Sequence, residues 1–314
     1  MRSPRSSAKS LLILAVINGA FVSTMVGCAA CDVRDRDVPT IINATRDNLR
    51  ITLANAGESW NIPVYHAGDT NGPRVIFVHG TPGHAREWRQ FLSEPMKGFE
   101  YVAIDRPGFG ESTPRRVAPS LADQAQVVEA LLEPRCGMKP ILVGHSLGGP
   151  IVARVAAEQP DRVGALVIIS GALDPSLERV NPLQYVGAMF PISSLLPRNL
   201  REANRELMPL KGQLTELEGM LDRITCPVVI MHATNDGLVP YANVAYMVDH
   251  LVNARSVEVM TLQDGNHFLP WKKKPDVDVA IKRAVTLARS GEALANADRA
   301  PAGGRVSAAS PSNK

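Results

Sequence analysis

Ser146, Asp236 and His267 are the three residues of this 314-residue chain whose types and order could together make a nucleophile. A serine hydroxyl is weak alone. It needs a base to take its proton, an acid to orient that base, and N–H donors for the oxyanion that forms on attack. Ser146 lies in Gly144-His145-Ser146-Leu147-Gly148-Gly149, after the apolar run Pro140-Ile141-Leu142-Val143 and before the helix-like run Pro150 to Ala157. Strand, Gly-flanked turn and helix are the context in which G-x-S-x-G presents a strained, exposed serine. Gly144 and Gly148 let neighbouring backbone pass close by, and the following helix offers N–H groups to an anion. Asp236 lies in Asn235-Asp236-Gly237-Leu238-Val239-Pro240 and His267 in Gly265-Asn266-His267-Phe268, each in a loop after an apolar run. Simpler readings exist for each. A Gly-rich turn can precede any amphipathic helix, Asp236 could be a turn acid with Asp174 in its place, and His267 could be a surface loop histidine.

The elements that must position these groups alternate. Arg50-Ile51-Thr52-Leu53 and Ile62 to His66 suggest a first pair of strands around an Asn55-Ala56-Gly57 turn. The continuous apolar run Arg74–Val78 fits a strand buried on both faces, Tyr101–Ile104 reads as the next buried strand, and Ile141–Val143, Ala165–Ile169, Pro227–His232 and Ser256–Met260 read as further strands. Between them lie a helix starting near His84, one capped by Ser120 and running to Leu132, one over Tyr241–Leu251, and a last one over Asp276–Ser290. This alternation predicts an α/β fold: a mostly parallel, eight-stranded sheet with helices on both faces. Reactive groups of such sheets collect beyond the carboxyl ends of the strands. His79-Gly80-Thr81, Asp105-Arg106-Pro107, Gly144-His145-Ser146 and Ala233 to Asp236 should therefore share one rim. Residues 173–223 interrupt the alternation with short apolar helical runs and are expected to form a small inserted cap. His145 is expected to pack behind the site with its side chain away from that of Ser146, His79 to order its loop, and His84 to be a surface residue at a helix start.

The first residues read as an address. Arg2, Arg5 and Lys9 precede a largely apolar stretch, Leu11–Val26, that is too short for an ordinary membrane span of about twenty residues. Met25-Val26-Gly27-Cys28 is similar to a bacterial lipobox, in which the cysteine is lipidated and becomes the mature N-terminus. The implied organisation is a signal peptide at 1–27, a tether at 28–48, an α/β core at 49–172 and 224–290 around the 173–223 cap, and a disordered tail at 291–314, where the Ala/Gly/Pro/Ser-rich composition offers little to bury. The location implied is periplasmic or outer-membrane, with the membrane as partner through an N-terminal lipid or signal anchor.

Composition excludes several classes. Lys and Arg number 34 against 31 Asp and Glu, and a chain starting at Cys28 would carry no net charge, so nothing points to nucleic acid. Four cysteines are too few and scattered for a disulfide scaffold. Cys28-Ala29-Ala30-Cys31 has no second pair of zinc spacing. Cys136 and Cys226, each before an apolar run, are expected as buried free thiols.

Five motifs in register give the chain a resemblance. Val78-His79-Gly80-Thr81-Pro82-Gly83, Asp105-Arg106-Pro107-Gly108-Phe109-Gly110-Glu111-Ser112, Gly144–Gly149, Asn235–Pro240 and Gly265-Asn266-His267-Phe268-Leu269 are similar, over about 49–290, to the α/β-hydrolases. By this resemblance Ser146 attacks a carbonyl carbon, His267 takes and returns the proton, Asp236 fixes the imidazole tautomer, and the N–H groups of Thr81 and Leu147 hold the oxyanion. Relatives that form alkyl-enzyme esters, the haloalkane dehalogenases and epoxide hydrolases, use Asp where this chain has Ser146. The implied activity is a serine hydrolase acting on small or medium apolar carboxylic esters, with no cofactor and no metal. An aminopeptidase of the proline iminopeptidase type, a C–C bond hydrolase and a cofactor-free perhydrolase are the alternatives. The His79–Gly83 segment favours the first of these alternatives, but the elbow is poorer in Gly and Trp than is usual for it.

Overall fold

The computed structural model describes residues 44–179 and 182–299. The signal, Cys28, Cys31, the tether up to residue 43 and the tail from residue 300 lie outside the described residues. Strands β1 (Thr45–Leu53) and β2 (Glu58–Gly68) form an antiparallel hairpin, and β3 (Arg74–Val78) opens the parallel part of the sheet. A 3-10 turn at Ala85–Trp88 and the short α1 (Arg89–Ser93) lead to β4 (Glu100–Ile104). Then come α2 (Leu121–Glu129), β5 (Ile141–His145), α3 (Gly148–Glu158) and β6 (Ala165–Ile169). The cap follows as α4 (Pro182–Ala188), α5 (Ile192–Leu195), α6 (Arg198–Leu207) and α7 (Leu210–Glu218). The chain closes with β7 (Val228–Ala233), α8 (Asn243–His250), β8 (Val257–Leu262), α9 (Leu269–Lys272) and α10 (Lys274–Arg299).

The sheet has eight strands in the order β1-β2-β4-β3-β5-β6-β7-β8, parallel from β4 onward. Strands β3 to β7 are buried at every residue. Their continuous apolar runs follow from helices covering both faces. Alternation within each strand divides the core: Ile76, Val78 and Leu142 pack with α2, α3 and α7, whereas Val75, Phe77, Ile141 and Val143 pack with α1 and α10. The order reverses at β3. The chain leaves β3 for β4 on one side and returns to β5 on the other, so the loops after β3 and β5 part and open a crevice at the rim.

Four expectations need correcting. Strand β1 begins at Thr45, inside the stretch assigned to the tether, because Leu49, Ile51 and Leu53 alternate inward while the polar half forms an exposed edge. The helix expected near His84 is only a 3-10 turn and α1, ended by the Pro95 and Gly98 that follow. Helix α10 runs to Arg299, past Ser290 and into the stretch expected to be disordered; Glu292-Ala293-Leu294-Ala295 are strong helix formers. Cys136 is exposed, unlike the buried Cys226. It forms with Gly137 the two-residue corner of a tight turn, both at positive φ (44° and 74°), between Arg135 and Met138.

Candidate active site

Ser146 caps the carboxyl end of β5. Its N–H still donates to Ile169 O at 3.0 Å, continuing the ladder, and its own carbonyl already accepts from Gly149 N–H at 2.9 Å. The chain turns from strand to helix within one residue, which holds Ser146 at φ 55°. A left-handed non-glycine residue costs of order 1–3 kcal/mol and persists only where its surroundings enforce it. Here they do: a Cβ on Gly144 would stand 2.3 Å from Gly148 O, and one on Gly148 would stand 2.3 Å from Val78 O. The oxyanion-type loop passes equally close. A Cβ on Gly80 would meet the Ser146 Cβ at 2.9 Å and its Oγ at 3.4 Å.

Asp236 and His267 come together from the loops after β7 and β8. His267 Nδ1 donates to Asp236 Oδ2 at 2.9 Å, and Asp236 Oδ1 accepts from the N–H groups of Leu238 and Val239, both at 2.9 Å. Burial alone would raise the Asp236 carboxyl. The His267 hydrogen bond and charge, with the two N–H donors, outweigh it and hold the carboxyl below its ordinary value. Asp174 is engaged elsewhere, accepting from Ser176 N–H at 2.7 Å. Ser146 and His267 line one cavity of 480 Å³, with Gly80, Thr81 and Leu147 on its wall. The N–H groups of Thr81 and Leu147 donate to no other described residue. Cap residues Pro182, Leu207 and Leu210 line the same cavity. Among the described residues no group of three or more His, Cys, Asp or Glu side chains could hold a metal ion.

His145 does more than pack. Its Nε2 donates to the carbonyl of His267 at 2.9 Å, its ring lies 4.8 Å from that of His267, and the Trp271 ring meets it edge-on. It lines the cavity as well, so it backs His267 directly. Burial, then the neighbouring His267, pushes its imidazole down to about 3, so it stays neutral.

His79 does order its loop, with a partner that the motif pattern leaves unassigned. His79 Nε2 accepts from Arg106 N–H at 3.1 Å, and Nδ1 lies 2.8 Å from Gly80 O and 3.3 Å from Arg106 Nε; with Nε2 accepting, the ring proton on Nδ1 goes to Gly80 O. Arg106 Nη2 donates to the same carbonyl at 2.6 Å. A trans peptide is planar with C=O and N–H opposed. Two donors on Gly80 O therefore turn the Thr81 N–H the other way. Arg106 is itself buried and ion-paired with Glu206 of α6, and Gln124 Nε2 donates to the same carboxylate at 3.0 Å. Arg106 stands in a legible loop motif. Glu206 lies in the cap, 100 residues away, with no spacing that signals it.

Comparison with known proteins bears on the fold. A family model described as alpha/beta hydrolase fold matches residues 73–192. A non-heme chloroperoxidase of Streptomyces lividans is 30% identical over 220 residues, 57% of this chain and 79% of that protein. A pimeloyl-[acyl-carrier protein] methyl ester esterase of Chromobacterium violaceum is 26% identical over 219 residues, 58% of this chain and 84% of that protein. Five other curated relatives are matched over 29% to 44% of their own length. The crystal structure of a bacterial membrane phospholipase A superposes with a TM-score of 0.56 at 19% identity, covering 91% of this chain and 99% of that one, a likeness of fold. By sequence and by architecture, the chain belongs to the alpha/beta hydrolase fold family.

Proposed function

We propose that the protein is a serine hydrolase that cleaves small or medium apolar carboxylic esters through an acyl-enzyme. One observation carries this reading: a strained Ser146 shares its cavity with His267, whose far nitrogen is held by the buried Asp236 carboxylate at 2.9 Å. In this mechanism the Ser146 hydroxyl adds to the ester carbonyl as His267 Nε2 takes its proton. Asp236 stabilises the imidazolium and keeps the proton on Nδ1. The carbonyl oxygen, now an anion, is met by the N–H groups of Thr81 and Leu147. His267 returns the proton to the departing alkoxide, and water repeats the sequence on the acyl-enzyme. The leucines and proline that the cap lends to the cavity suit an apolar acyl group.

A second reading, an aminopeptidase, is favoured by Glu178, a carboxylate lining the same cavity, where it would receive a substrate ammonium group. One experiment separates the two. The wild type and Ser146→Ala are assayed on p-nitrophenyl esters of graded chain length beside aminoacyl-naphthylamides, with a fluorophosphonate probe for Ser146. Labelling with ester turnover supports the first reading, and turnover of the amides alone supports the second. Absence of both sinks the serine mechanism.

Export and lipid anchoring belong to the same proposal. Arg2, Arg5 and Lys9 before the apolar stretch, and Met25-Val26-Gly27-Cys28 after it, support a lipoprotein held outside the cytoplasmic membrane. A Cys28→Ser chain that stayed fully with the detergent phase would overturn it.

A further inference from the structure

A second histidine stands beside Asp236, and the reaction described above does not use it. His232 is the next-to-last residue of β7 and is fully enclosed. Its Nε2 lies 3.0 Å from Val239 O and 3.5 Å from Asp236 Oδ2, the same oxygen that accepts from His267 Nδ1. A carbonyl oxygen can only accept, so the ring proton of His232 sits on Nε2 and Nδ1 is bare. Nδ1 is correspondingly the buried ring nitrogen with no partner. Burial lowers the imidazole from its ordinary value, against the pull of Val239 O and the Asp236 charge. Asp236 and His267 are the titratable groups that act on it, and the Tyr241 ring meets it edge-on at 5.7 Å. His232 is thus a neutral, fixed N–H dipole.

The loop that carries Asp236 is tied at three points. Its entry is held to β8, where Thr234 N–H donates to Leu262 O at 3.0 Å. Its exit is held to α8, where Asn243 N–H donates to Pro240 O at 3.0 Å. Between them, His232 holds Val239 O. Of residues 234–240, Asp236 and Val239 are the buried ones, and His232 touches both. The tip is not packed against the body: a Cβ on Gly237 would meet nothing within 4 Å.

Val239 links His232 to the acid. Its carbonyl accepts from His232, while its N–H, with that of Leu238, donates to Asp236 Oδ1. Fixing Val239 therefore fixes Oδ1, and a carboxylate pinned at one oxygen cannot rotate the other away from His267. His232 does not line the Ser146 cavity.

We propose that His232 is a positioning residue for Asp236: through Val239 it holds the N–H donors on Oδ1, and its own N–H borders Oδ2, so that this oxygen stays on His267 while imidazolium forms. This rests on the serine hydrolase reading above, and its test lets the two fail separately.

Three variants of the full chain separate the N–H from the bulk of the ring. His232→Gln places an amide N–H near the position of Nε2, His232→Asn places it nearer Nδ1, and His232→Leu has none. In the Leu and Asn variants kcat for a soluble p-nitrophenyl ester should fall about 10–100-fold, as misplacement by about 1 Å does, with KM within about threefold. His232→Gln should recover kcat to within about fivefold of the parent. In an Asp236→Asn background, His232→Asn should cost less than about threefold, because it acts through the acid. The acid limb of kcat/KM should move to lower pH in the Leu and Asn variants, since a loosened carboxylate stabilises imidazolium less. The downfield proton NMR signal of His267 Nδ1–H should shift in the same variants and return in His232→Gln, without any turnover being needed. A Gln variant no better than Asn, losses that multiply fully in the Asp236→Asn background, or an acid limb that moves to higher pH would overturn the proposal. If His232→Leu does not fold, the Asn and Gln variants decide. A chain that cleaves no ester, yet whose His267 signal responds to Asn and not to Gln, would leave the positioning standing and remove the hydrolase reading.

Discussion

The buried Arg106–Glu206 pair makes a prediction in which stability and catalysis part company. Both side chains are almost fully enclosed. Glu206→Ala leaves the Arg106 guanidinium with Gly80 O as its remaining close oxygen acceptor and no countercharge, which should cost about 3–5 kcal/mol. Removing both partners, as Arg106→Met with Glu206→Leu, orphans nothing. Gln124 Nε2 keeps Ala118 O at 2.7 Å, and Gly80 O keeps His79 Nδ1 at 2.8 Å. The double variant should therefore lie within about 2 kcal/mol of the parent, as apolar replacement of buried ion pairs often does. Its oxyanion peptide is then aimed by one donor instead of two. Loss of a whole oxyanion donor costs roughly 10²–10³ in kcat. Partial loss of its aim should cost about 10–100-fold, with KM changed little because the interaction forms in the transition state. Urea unfolding gives the stabilities, and p-nitrophenyl ester kinetics give kcat and KM separately. A double variant as stable as the parent with kcat within twofold of it would refute the role assigned to Arg106.

Other outcomes follow from the same site. Ser146→Ala and His267→Ala should lose orders of magnitude in kcat and still fold, and Asp236→Asn should lose roughly 10³–10⁴-fold, whereas Asp174→Asn should stay within a few-fold; a larger loss at Asp174 would move the acid there. Acid should destabilise the fold well before carboxylates titrate. His79, His145 and His232 are held neutral by burial, so below the unfolded imidazole value of 6.5 only the unfolded chain takes up their protons. Each then lowers stability by about 1.4 kcal/mol per pH unit as pH falls. Asp236 has the same sign in a lower window: its lowered folded value contributes stability that is present above 3.8 and is lost as pH falls below it, so it adds to the histidines only in stronger acid. A urea midpoint unchanged between pH 7.5 and 5 would contradict this. Finally, a thiol reagent at neutral pH should modify Cys136 in the folded chain and reach Cys226, whose thiol burial pushes up to about 12, only on unfolding; peptide mapping distinguishes the two sites.

The parts that were legible in the sequence are those where one local signal decides. Strands β3 to β7 are unbroken apolar runs between turn residues, and no other element of that length suits them. The site loops were legible because each chemical residue sits just past such a strand, so that finding the strands places Ser146, Asp236 and His267 on one rim. What escaped depends on distant partners. The first half of β1 is polar, and only pairing with β2 makes Thr45–Asn48 a strand. Cys136 precedes an apolar run as a buried residue might, yet Gly137 beside it belongs to a turn. His145 was expected as a packing or supporting residue, but its partner was not legible, because the His267 carbonyl it holds comes from the loop after β8. Glu206 sits in an insertion with no periodic relation to Arg106.

The cap is divided by what its helices bury. Helix α6 turns Glu202, Ala203 and Glu206 inward, and α7 adds Leu210, Leu214 and Leu217 to the core. Glu202 accepts from Val117 N–H at 3.0 Å, and Glu206 holds Arg106, so this half is bound to the loop after β4 by buried charge. Lifting it would expose unpaired ions and release the Gly80 peptide. By contrast, α5 buries none of its residues, and α4 presents Tyr185 and Val186 to solvent. A cavity that must admit substrate will open where displacement is least costly, and that is the α4–α5 half. A substrate path through the α4–α5 half would leave α6 seated, with Glu206 on Arg106 and Arg106 on the Gly80 carbonyl.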